Sequence, residues 1–365
     1  MTAPAHRRIA FYAPMKAPDH PNPSGDRRVA RLLMRALDRA GWETKLASRL
    51  RTHQSVGNPV AQDMLFQEAE RVADKLLNDY AAGAPPAIWF TYHCYYKAPD
   101  LIGPTVARAL SIPYVVAEGY RARKRLDGPY ARFAHASERA LDQARLIFHL
   151  QARGLDALER DRPEGQKLIP LPPFTALGAE PAARAPNEGR LNLLTVAMMR
   201  PGDKLASYRA LASALSALTL DWRLTVIGDG AARPEVEAAF AALRPRVVFR
   251  GQINDRDALR SAYETADLFL WPGVNEAFGM AYLEAQSAGV ACVAEDRIGV
   301  RDVIGPSGRL TAPGDPAAFA AAIAALAEDR GALAAAGRAA RAHVKARHGV
   351  SAAAARLNVA LEALS

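Results

Sequence analysis

Short apolar runs rich in β-forming residues alternate with longer amphipathic segments along nearly the whole chain of 365 residues. Strands that alternate with helices in this way are typical of parallel sheets covered by helices. The predicted strands are Ile9–Tyr12, Ala87–Thr91, Tyr114–Ala117, Leu146–Leu150, Leu191–Ala197, Leu224–Ile227, Val247–Arg250, Leu268–Trp271 and Ala291–Ala294. The alternation therefore predicts an α/β protein with doubly wound, Rossmann-like sheets.

The length of the chain predicts two domains, because a single hydrophobic core rarely grows beyond about 250–300 residues. A proline-rich stretch around 170–190 interrupts the alternation and is the best candidate for a linker. We expect two domains that face a central cleft, with ligands outside the carboxyl ends of the strands. The predicted ranges are an N-terminal domain at 1–172, a linker at 173–190, a C-terminal domain at 191–349, and a final helix at 350–365 as a candidate to pack back on the first domain.

Composition argues against a membrane-spanning or secreted protein. No apolar run approaches the roughly 20 residues that a membrane span needs, and Ile9–Ala13 is too short for the core of a signal peptide. Cys94 and Cys292 are the only cysteines, and they lack the spacing of zinc ligands. We therefore expect a cytoplasmic protein without a structural metal.

The chain carries a formal net charge of +9, and part of it is concentrated in one segment. Such a cluster is typical of proteins that bind nucleic acid, anionic lipid or phosphorylated ligands. The chain has no zinc-finger, helix-turn-helix or RNA-binding aromatic motif, so we expect no nucleic-acid partner. Two interpretations stay open: a solvated surface, or peripheral contact with the anionic inner face of the membrane. The cluster consists of Arg121, Arg123, Lys124 and Arg125.

The strongest motif is the segment from Asn275 to Ala285, which follows a predicted strand and runs into a predicted helix. The backbone amides of Phe278, Gly279 and Met280 would lie at the N-terminus of that helix, where unpaired N–H groups and the helix dipole favour a phosphate. Glu276 precedes the helix, and Glu284 lies about two turns into it. The pattern predicts a binding site for an extended phosphorylated ligand.

The two glutamates, separated by seven residues around a Phe-Gly pair, resemble the E-x7-E motif of retaining GT-B glycosyltransferases of family four. Other segments are similar to that family in the same order along the chain. They are 23–27 between the first strand and helix, the glycine turns 227–230 and 248–251, and the stretch 298–304.

The resemblance implies retaining transfer of a sugar from a UDP- or GDP-sugar to an unidentified acceptor, such as a lipid or a cell-envelope glycan. It implies that Glu276 binds hydroxyls of the donor sugar and that Glu284 binds the ribose. The amides of Phe278, Gly279 and Met280 would contact sugar or diphosphate. The resemblance also implies that Gly228 and Gly251 lie in donor-binding turns.

Two cations follow the first strand of the second predicted domain. Arg200 supplies a planar guanidinium that can donate two hydrogen bonds at once, and Lys204 supplies a compact ammonium charge; both suit a diphosphate. The two residues stand one residue closer together than in the family pattern. No Asp-x-Asp stands in a context that suggests a metal, so we expect catalysis without a metal or another cofactor.

Three residues of the first predicted domain are further candidates. Gly25 would allow close approach of the backbone to phosphate or sugar. His93 is either a catalytic residue beside the donor sugar or a packed histidine among aromatic side chains. Glu118 lies where many relatives of the family carry a histidine, so the resemblance does not predict which residues act on the acceptor. Alternative functions are a nucleotide-sugar epimerase, a phosphorylase-like enzyme and a catalytically silent partner subunit of the same fold.

Overall fold

The computed structural model describes residues 7–22, 24–179, 181, 189–276 and 279–364. The chain divides into two compact units, which are described separately below. Unit 1 consists of Met1–Pro172 with Val350–Ser365, and unit 2 is Pro173–Gly349. In the described part of the chain, no helix combines the length and the apolar character that a membrane crossing requires.

Unit 1 contains a parallel sheet of six strands in the order β2-β1-β3-β4-β5-β6. The strands are β1 (Arg8–Tyr12), β2 (Glu43–Ser48), β3 (Ile88–Cys94), β4 (Tyr114–Gly119), β5 (Leu146–His149) and β6 (Lys167–Pro170). The helices between them are α1 (Gly25–Arg39), α2 (Pro59–Ala82), α3 (Gly103–Ala109), α4 (Ala131–Gln143) and α5 (Leu155–Arg160). Ser24 caps α1 by accepting a hydrogen bond from the Arg27 amide, which satisfies a donor that has no partner within the helix.

Unit 2 contains a second parallel sheet of six strands in the order β12-β11-β10-β7-β8-β9. The strands are β7 (Leu191–Val196), β8 (Trp222–Ile227), β9 (Val247–Phe249), β10 (Leu268–Leu270), β11 (Ala291–Glu295) and β12 (Arg309–Thr311). The helices are α6 (Asp203–Ser216), α7 (Arg233–Ala239), α8 (Arg256–Glu264), α9 (Met280–Ser287), α10 (Pro316–Ala327) and α11 (Arg330–His343). The predicted α/β class with two doubly wound parallel sheets is confirmed.

The last helix, α12 (Val350–Glu362), belongs to unit 1 and packs against α1. Its apolar face is buried through Leu357 and Leu361. An ion pair between Arg7 and Glu362 lies near its end. The final segment of the chain therefore completes the core of the first unit.

Three strands that the sequence analysis did not predict lie at the edges of the sheets. They are β2 and β6 in unit 1 and β12 in unit 2. Edge strands are covered on fewer sides than central strands, and most residues of β2 and β6 are only half-buried or exposed. Such strands need no continuous apolar run, so their sequences lack the signal that reveals the buried strands.

The turn after β8 requires glycine for a steric reason. Gly228 has a φ of 144°, and a Cβ atom there would lie 1.9 Å from the carbonyl oxygen of Ala197 at the end of β7. Gly230 makes a similar approach to Met199. The loops that follow β7 and β8 are thus packed backbone to backbone.

We predict that Gly228→Ala lowers the free energy of unfolding by about 2–4 kcal/mol, because the new methyl group must displace backbone from a strained position. The urea midpoint of unfolding measures the change. Gly25→Ala is the control, since a Cβ atom at Gly25 meets nothing within 4 Å and the backbone there begins a helix. A Gly228→Ala variant as stable as the parent would contradict the packing described here.

Candidate active site

The strand order of unit 2 reverses between β7 and β10, which are neighbours in the sheet. The chain leaves β7 towards α6 and β8 on one side, and it leaves β10 towards α9 and β11 on the other. Loops that diverge from adjacent parallel strands open a crevice at their carboxyl ends, which is the usual ligand site of such sheets. The segments after β7 and β10 carry most of the residues predicted to bind a donor.

Lys204 and Glu276 meet at this crevice. Lys204 Nζ lies 2.5 Å from Glu276 Oε2, and Trp271 Nε1 donates a hydrogen bond to the same oxygen at 3.2 Å. The ammonium also lies over the Trp271 ring, 5.4 Å from its centroid. The side chains of Lys204 and Glu276 are only 24% and 19% exposed. The structure therefore brings together two residues that the sequence separates by 72 positions, and it adds Trp271, which the motif analysis did not single out as a site residue.

Polar contacts hold the loop of Glu276 against the start of α6. The Val274 amide donates to Ser207 Oγ (2.9 Å), and Asn275 Nδ2 donates to Asp203 Oδ2 (3.1 Å). Asn275 has a φ of 54°, a left-handed conformation that asparagine adopts more readily than most residues. These contacts fix Glu276 within reach of Lys204.

Helix α9 begins directly after this loop. Gly279 stands at its N-cap with a φ of 58°, and a Cβ atom there would lie 2.6 Å from Val303. Within the described residues, no side chain caps this helix end, and Met280 is its first residue. Phe278, the third predicted amide donor, lies outside the described residues. The described part of this helix start is consistent with a phosphate site.

Glu284 lies in α9 and is half-buried. Tyr263, at the end of α8, donates a hydrogen bond from its hydroxyl to Glu284 Oε2 at 2.8 Å. Tyr263 is itself buried, so it orients the carboxylate from below the surface. Sequence reasoning missed Tyr263, because nothing in its local sequence links it to Glu284.

The other residues predicted in unit 2 lie around the same sheet edge. The Gly228 amide donates to the carbonyl of Gly251 at 2.9 Å, so the two glycine turns are adjacent. Gly251 has a φ of 67°. Arg200 lies in the loop after β7 with its side chain exposed, and among the described residues no hydrogen bond joins that side chain to Lys204 or Glu276.

Unit 1 has its own reversal of strand order, between β1 and β3. Asp26 stands in the first turn of α1, after β1, and His93 stands near the end of β3. His93 Nδ1 lies 3.0 Å from Asp26 Oδ1, and the imidazole stacks on Tyr95 with 5.0 Å between ring centroids. The packed and the catalytic interpretations of His93 are thus not exclusive. Gly25, next to Asp26, has open space around it.

His93 and Glu118 face each other across adjacent strands in unusual backbone conformations. The pairs Tyr92–Ala117 and Cys94–Gly119 flank them in the register of β3 and β4, and both residues have a φ of 63°. The structure corrects the sequence prediction here, since both residues lie within strands that run further than predicted. Left-handed non-glycine residues are strained and concentrate at functional sites.

Glu118 is a buried carboxyl group with several donors around it. Gln151 Nε2 donates to Oε1 (3.0 Å), the Leu150 amide donates to Oε2 (3.2 Å), and the Tyr120 hydroxyl donates as well. Burial raises the pKa of Glu118 above its ordinary value, although the hydrogen bond from Gln151 opposes the shift. The pKa of Asp26 is shifted in the other direction, below its ordinary value. Burial alone would raise this pKa, but the hydrogen bond and the charge of His93 outweigh burial and lower it.

The predicted basic cluster is not one surface. The Arg121 side chain is 2% exposed and forms ion pairs with Glu138 and Asp142, both at 2.7 Å. Its assignment to a membrane contact is therefore wrong, because its charge is buried and neutralised. Arg123 pairs with Asp161 at 2.9 Å. Contact with an anionic membrane stays a prediction, and within the cluster it depends chiefly on Lys124 and Arg125.

Comparison with known proteins identifies the region of the described site. The family model described as Glycosyl transferases group 1 matches residues 190–329, which include Lys204, Glu276 and Glu284. This range lies within unit 2.

Two curated proteins are similar over parts of the chain. One is a GDP-mannose-dependent alpha-mannosyltransferase of Mycolicibacterium smegmatis, 35% identical over 86 residues that cover 24% of this chain and 22% of that protein. The other is a 2-deoxystreptamine N-acetyl-D-glucosaminyltransferase of Streptomyces fradiae, 28% identical over 227 residues that cover 56% of this chain and 53% of that protein. The matches thus span about a fifth and about half of the lengths of these two relatives.

Solved structures show the fold over nearly the whole chain. The Anabaena protein HepE, solved in complex with UDP, superposes with a TM-score of 0.72 and 15% identity, covering 98% of this chain and 100% of that one. At this identity the similarity concerns the fold alone. The chain has the GT-B fold that the sequence motifs predicted.

We predict that Asp26→Asn lowers stability at neutral pH by about 1 kcal/mol or less, since the carboxylate is partly screened by solvent. Folding lowers the pKa of Asp26, so the folded state binds fewer protons than the unfolded chain. The stabilisation is therefore present above the unfolded pKa of about 3.9 and is lost as the pH falls through the folded pKa.

Urea midpoints at pH 7 and below pH 4 measure this effect. The difference between the parent and Asp26→Asn should shrink at the lower pH. Asp19→Asn is the control, because Asp19 pairs with an exposed arginine, Arg49. A constant difference at both pH values would mean that Asp26 does not contribute through its charge.

Proposed function

We propose that this chain is a glycosyltransferase whose donor is a nucleotide-diphosphate sugar, and the match of residues 190–329 to the glycosyl transferases group 1 family model supports the proposal. The observation that carries the proposal is the Lys204–Glu276 pair at the crevice between β7 and β10, beside the start of α9. A cation, a hydrogen-bond acceptor and a helix N-terminus in one place match the charge pattern of a sugar diphosphate.

The positions of the two glutamates suggest how the donor lies. Glu284 is inside α9 and is oriented by Tyr263, which suits a carboxylate that binds two ribose hydroxyls. Glu276 precedes α9 beside Lys204, which suits the hydroxyls of the transferred sugar. The diphosphate would then lie between them, near Lys204 and the first amides of α9. The curated relative named for GDP-mannose and the UDP in the Anabaena structure support a GDP- or UDP-sugar.

When the donor binds, Lys204 and Glu276 have to change their binding partners. Without a donor, Glu276 neutralises Lys204 in a partly buried position. The diphosphate offers Lys204 a second anion, and the sugar hydroxyls offer Glu276 new donors. A bare nucleoside diphosphate provides only the first of these, so it has to compete with Glu276 for Lys204 and would leave that carboxylate without its cation.

The proposed reaction breaks the bond between sugar C1 and the diphosphate oxygen, which keeps the electron pair, while the acceptor oxygen bonds to C1 on the same face. The acceptor's proton passes to the departing diphosphate. Negative charge grows on the diphosphate as the bond breaks. Lys204 and the helix start are already in place to stabilise that charge, which accelerates the reaction only to the extent that they bind the transition state more strongly than the ground state. Retention is proposed from the resemblance of the E-x7-E motif.

We predict opposite effects of two variants on nucleotide binding. Glu276→Gln should bind the nucleoside diphosphate about 3–10 times more tightly, because Lys204 loses its competing anion. It should bind the nucleotide sugar less tightly and reduce kcat by about a hundredfold. Glu284→Gln should weaken both ligands by about tenfold or more, because both carry the ribose.

Calorimetry with both ligands on both variants separates these outcomes. Glu328→Gln, on an exposed position outside the site, is the control. If Glu276→Gln weakens the bare nucleotide as Glu284→Gln does, the assigned roles are wrong. If the parent protein binds nucleotide sugar but never hydrolyses or transfers it, the chain is a silent subunit instead.

We also propose that the reaction needs no metal. Lys204 and Arg200 supply positive charge on the protein side, which can take the place of a divalent ion at the diphosphate. Donor turnover should therefore keep its rate, within about twofold, in excess EDTA. Loss of turnover in EDTA that magnesium or manganese restores would overturn this proposal.

A further inference from the structure

Two cations gather around one tyrosine in unit 1. Lys97 Nζ lies 5.8 Å from the centroid of the Tyr96 ring, and the Arg125 guanidinium lies 5.4 Å from the same centroid. Lys97 Nζ is also 5.8 Å from the ring of Tyr130, which meets Tyr96 edge to face. Tyr96 follows β3, at the carboxyl edge of the sheet, where ligands of parallel sheets bind.

Among the residues that the structure describes, no carboxylate lies within ion-pairing distance of Lys97 or Arg125. Each is attracted to the face of a tyrosine ring, but that attraction contributes only about 0.5–1 kcal/mol at an exposed site and leaves the charge in place. Two like charges held around one ring repel each other, and an anion between them would remove the repulsion.

The contrast with the neighbouring arginines makes the pair distinctive. Arg121 and Arg123 belong to the same basic segment, yet each is neutralised by a carboxylate of its own unit. Arg125 instead lies against the ring of Tyr96, which Lys97, 28 positions earlier in the sequence, also approaches. The fold therefore separates Arg121 and Arg123, which carboxylates neutralise, from Arg125, which pairs with no carboxylate of the described residues.

The surroundings of Lys97 carry further positive charge and half-exposed aromatic rings. The pKa of His53 is lowered, first by burial and then by the charges of Arg51 and Lys97, and the charge of Asp26 opposes the shift. Tyr95 joins Tyr96 to His93 by ring contacts of 5.6 and 5.0 Å between centroids. Tyrosine faces suit the C–H face of a sugar ring, as aromatic side chains present an apolar surface with a polar edge.

We propose that Lys97 and Arg125, arranged around Tyr96, bind a phosphate group carried by the acceptor. Both side chains are long, so their charged ends can converge on an anion at the edge of the ring. The assignment to the acceptor depends on the proposed function, whereas phosphate binding by these two residues does not. The phosphate belongs either to a soluble phosphorylated sugar or to the headgroup of an anionic lipid.

The first experiment measures binding of inorganic phosphate by calorimetry at low ionic strength. The Lys97→Gln/Arg125→Gln variant should bind phosphate at this site at least tenfold more weakly than the parent. Lys124→Gln is the matched control, because Lys124 is an exposed cation in the same segment without a tyrosine contact. All measurements are repeated with Lys204→Gln in the background, which removes phosphate binding by the proposed donor site.

The second experiment identifies the source of the phosphate. One arm uses vesicles of phosphatidylcholine with phosphatidylglycerol, against phosphatidylcholine alone, and the other uses glucose 6-phosphate against glucose. Weaker binding of the double variant to the anionic vesicles or to glucose 6-phosphate supports the site. The ligand whose binding is lost shows whether the phosphate belongs to a lipid or to a soluble sugar. Binding to the vesicles should weaken as salt rises, because exposed charges are screened.

The outcomes separate this inference from the proposed function. If the double variant binds phosphate as Lys124→Gln does, and binds vesicles and glucose 6-phosphate as the parent does, the site does not exist. If the double variant loses phosphate binding while no nucleotide sugar binds the parent protein, the phosphate site is confirmed and the proposed glycosyltransferase function is wrong. Unchanged melting temperatures of the variants show that both conclusions concern folded protein.

Discussion

Parallel strand order is the constraint on which both candidate sites depend. Each sheet has a place where two adjacent strands send the chain in opposite directions: β1 and β3 in unit 1, and β7 and β10 in unit 2. Only at such a place do two diverging loops leave room for side chains to converge. Asp26 and His93 meet at the first, and Lys204 and Glu276 meet at the second. Helices and glycine turns then set how closely the loops approach.

The two sites manage charge differently. In unit 2 a cation and an anion neutralise each other at the crevice, so neither partly buried charge is left without a partner. In unit 1 the pKa values of Asp26 and Glu118 are shifted in opposite directions. Lys97 and Arg125, which pair with no carboxylate of the described residues, lie further along the same sheet edge. Perturbed titration and unbalanced charge are typical of places where a ligand completes the structure.

Local sequence patterns predicted what depends on neighbours along the chain. Apolar runs revealed the buried strands, and the spacing of Glu276 and Glu284 identified the start of α9. Contacts between distant residues were not predictable in this way: Tyr263 reaches Glu284 from another helix, and Arg121 finds Glu138 and Asp142 on α4. The basic segment looked uniform because adjacency in sequence does not reveal which charges the fold neutralises. The edge strands were missed because half-covered strands carry no continuous apolar run.

The return of α12 to α1 has a consequence for synthesis on the ribosome. Unit 2 is continuous in sequence, but the core of unit 1 is completed only by Leu357, Leu361 and their neighbours, which follow unit 2 in sequence. The surface of α1 that α12 covers therefore waits for its partner while all of unit 2 is made. At translation rates of about 5–20 residues per second, that interval is on the order of ten seconds or more. During it the nascent chain exposes a surface that a chaperone would recognise, even as the second unit can already fold.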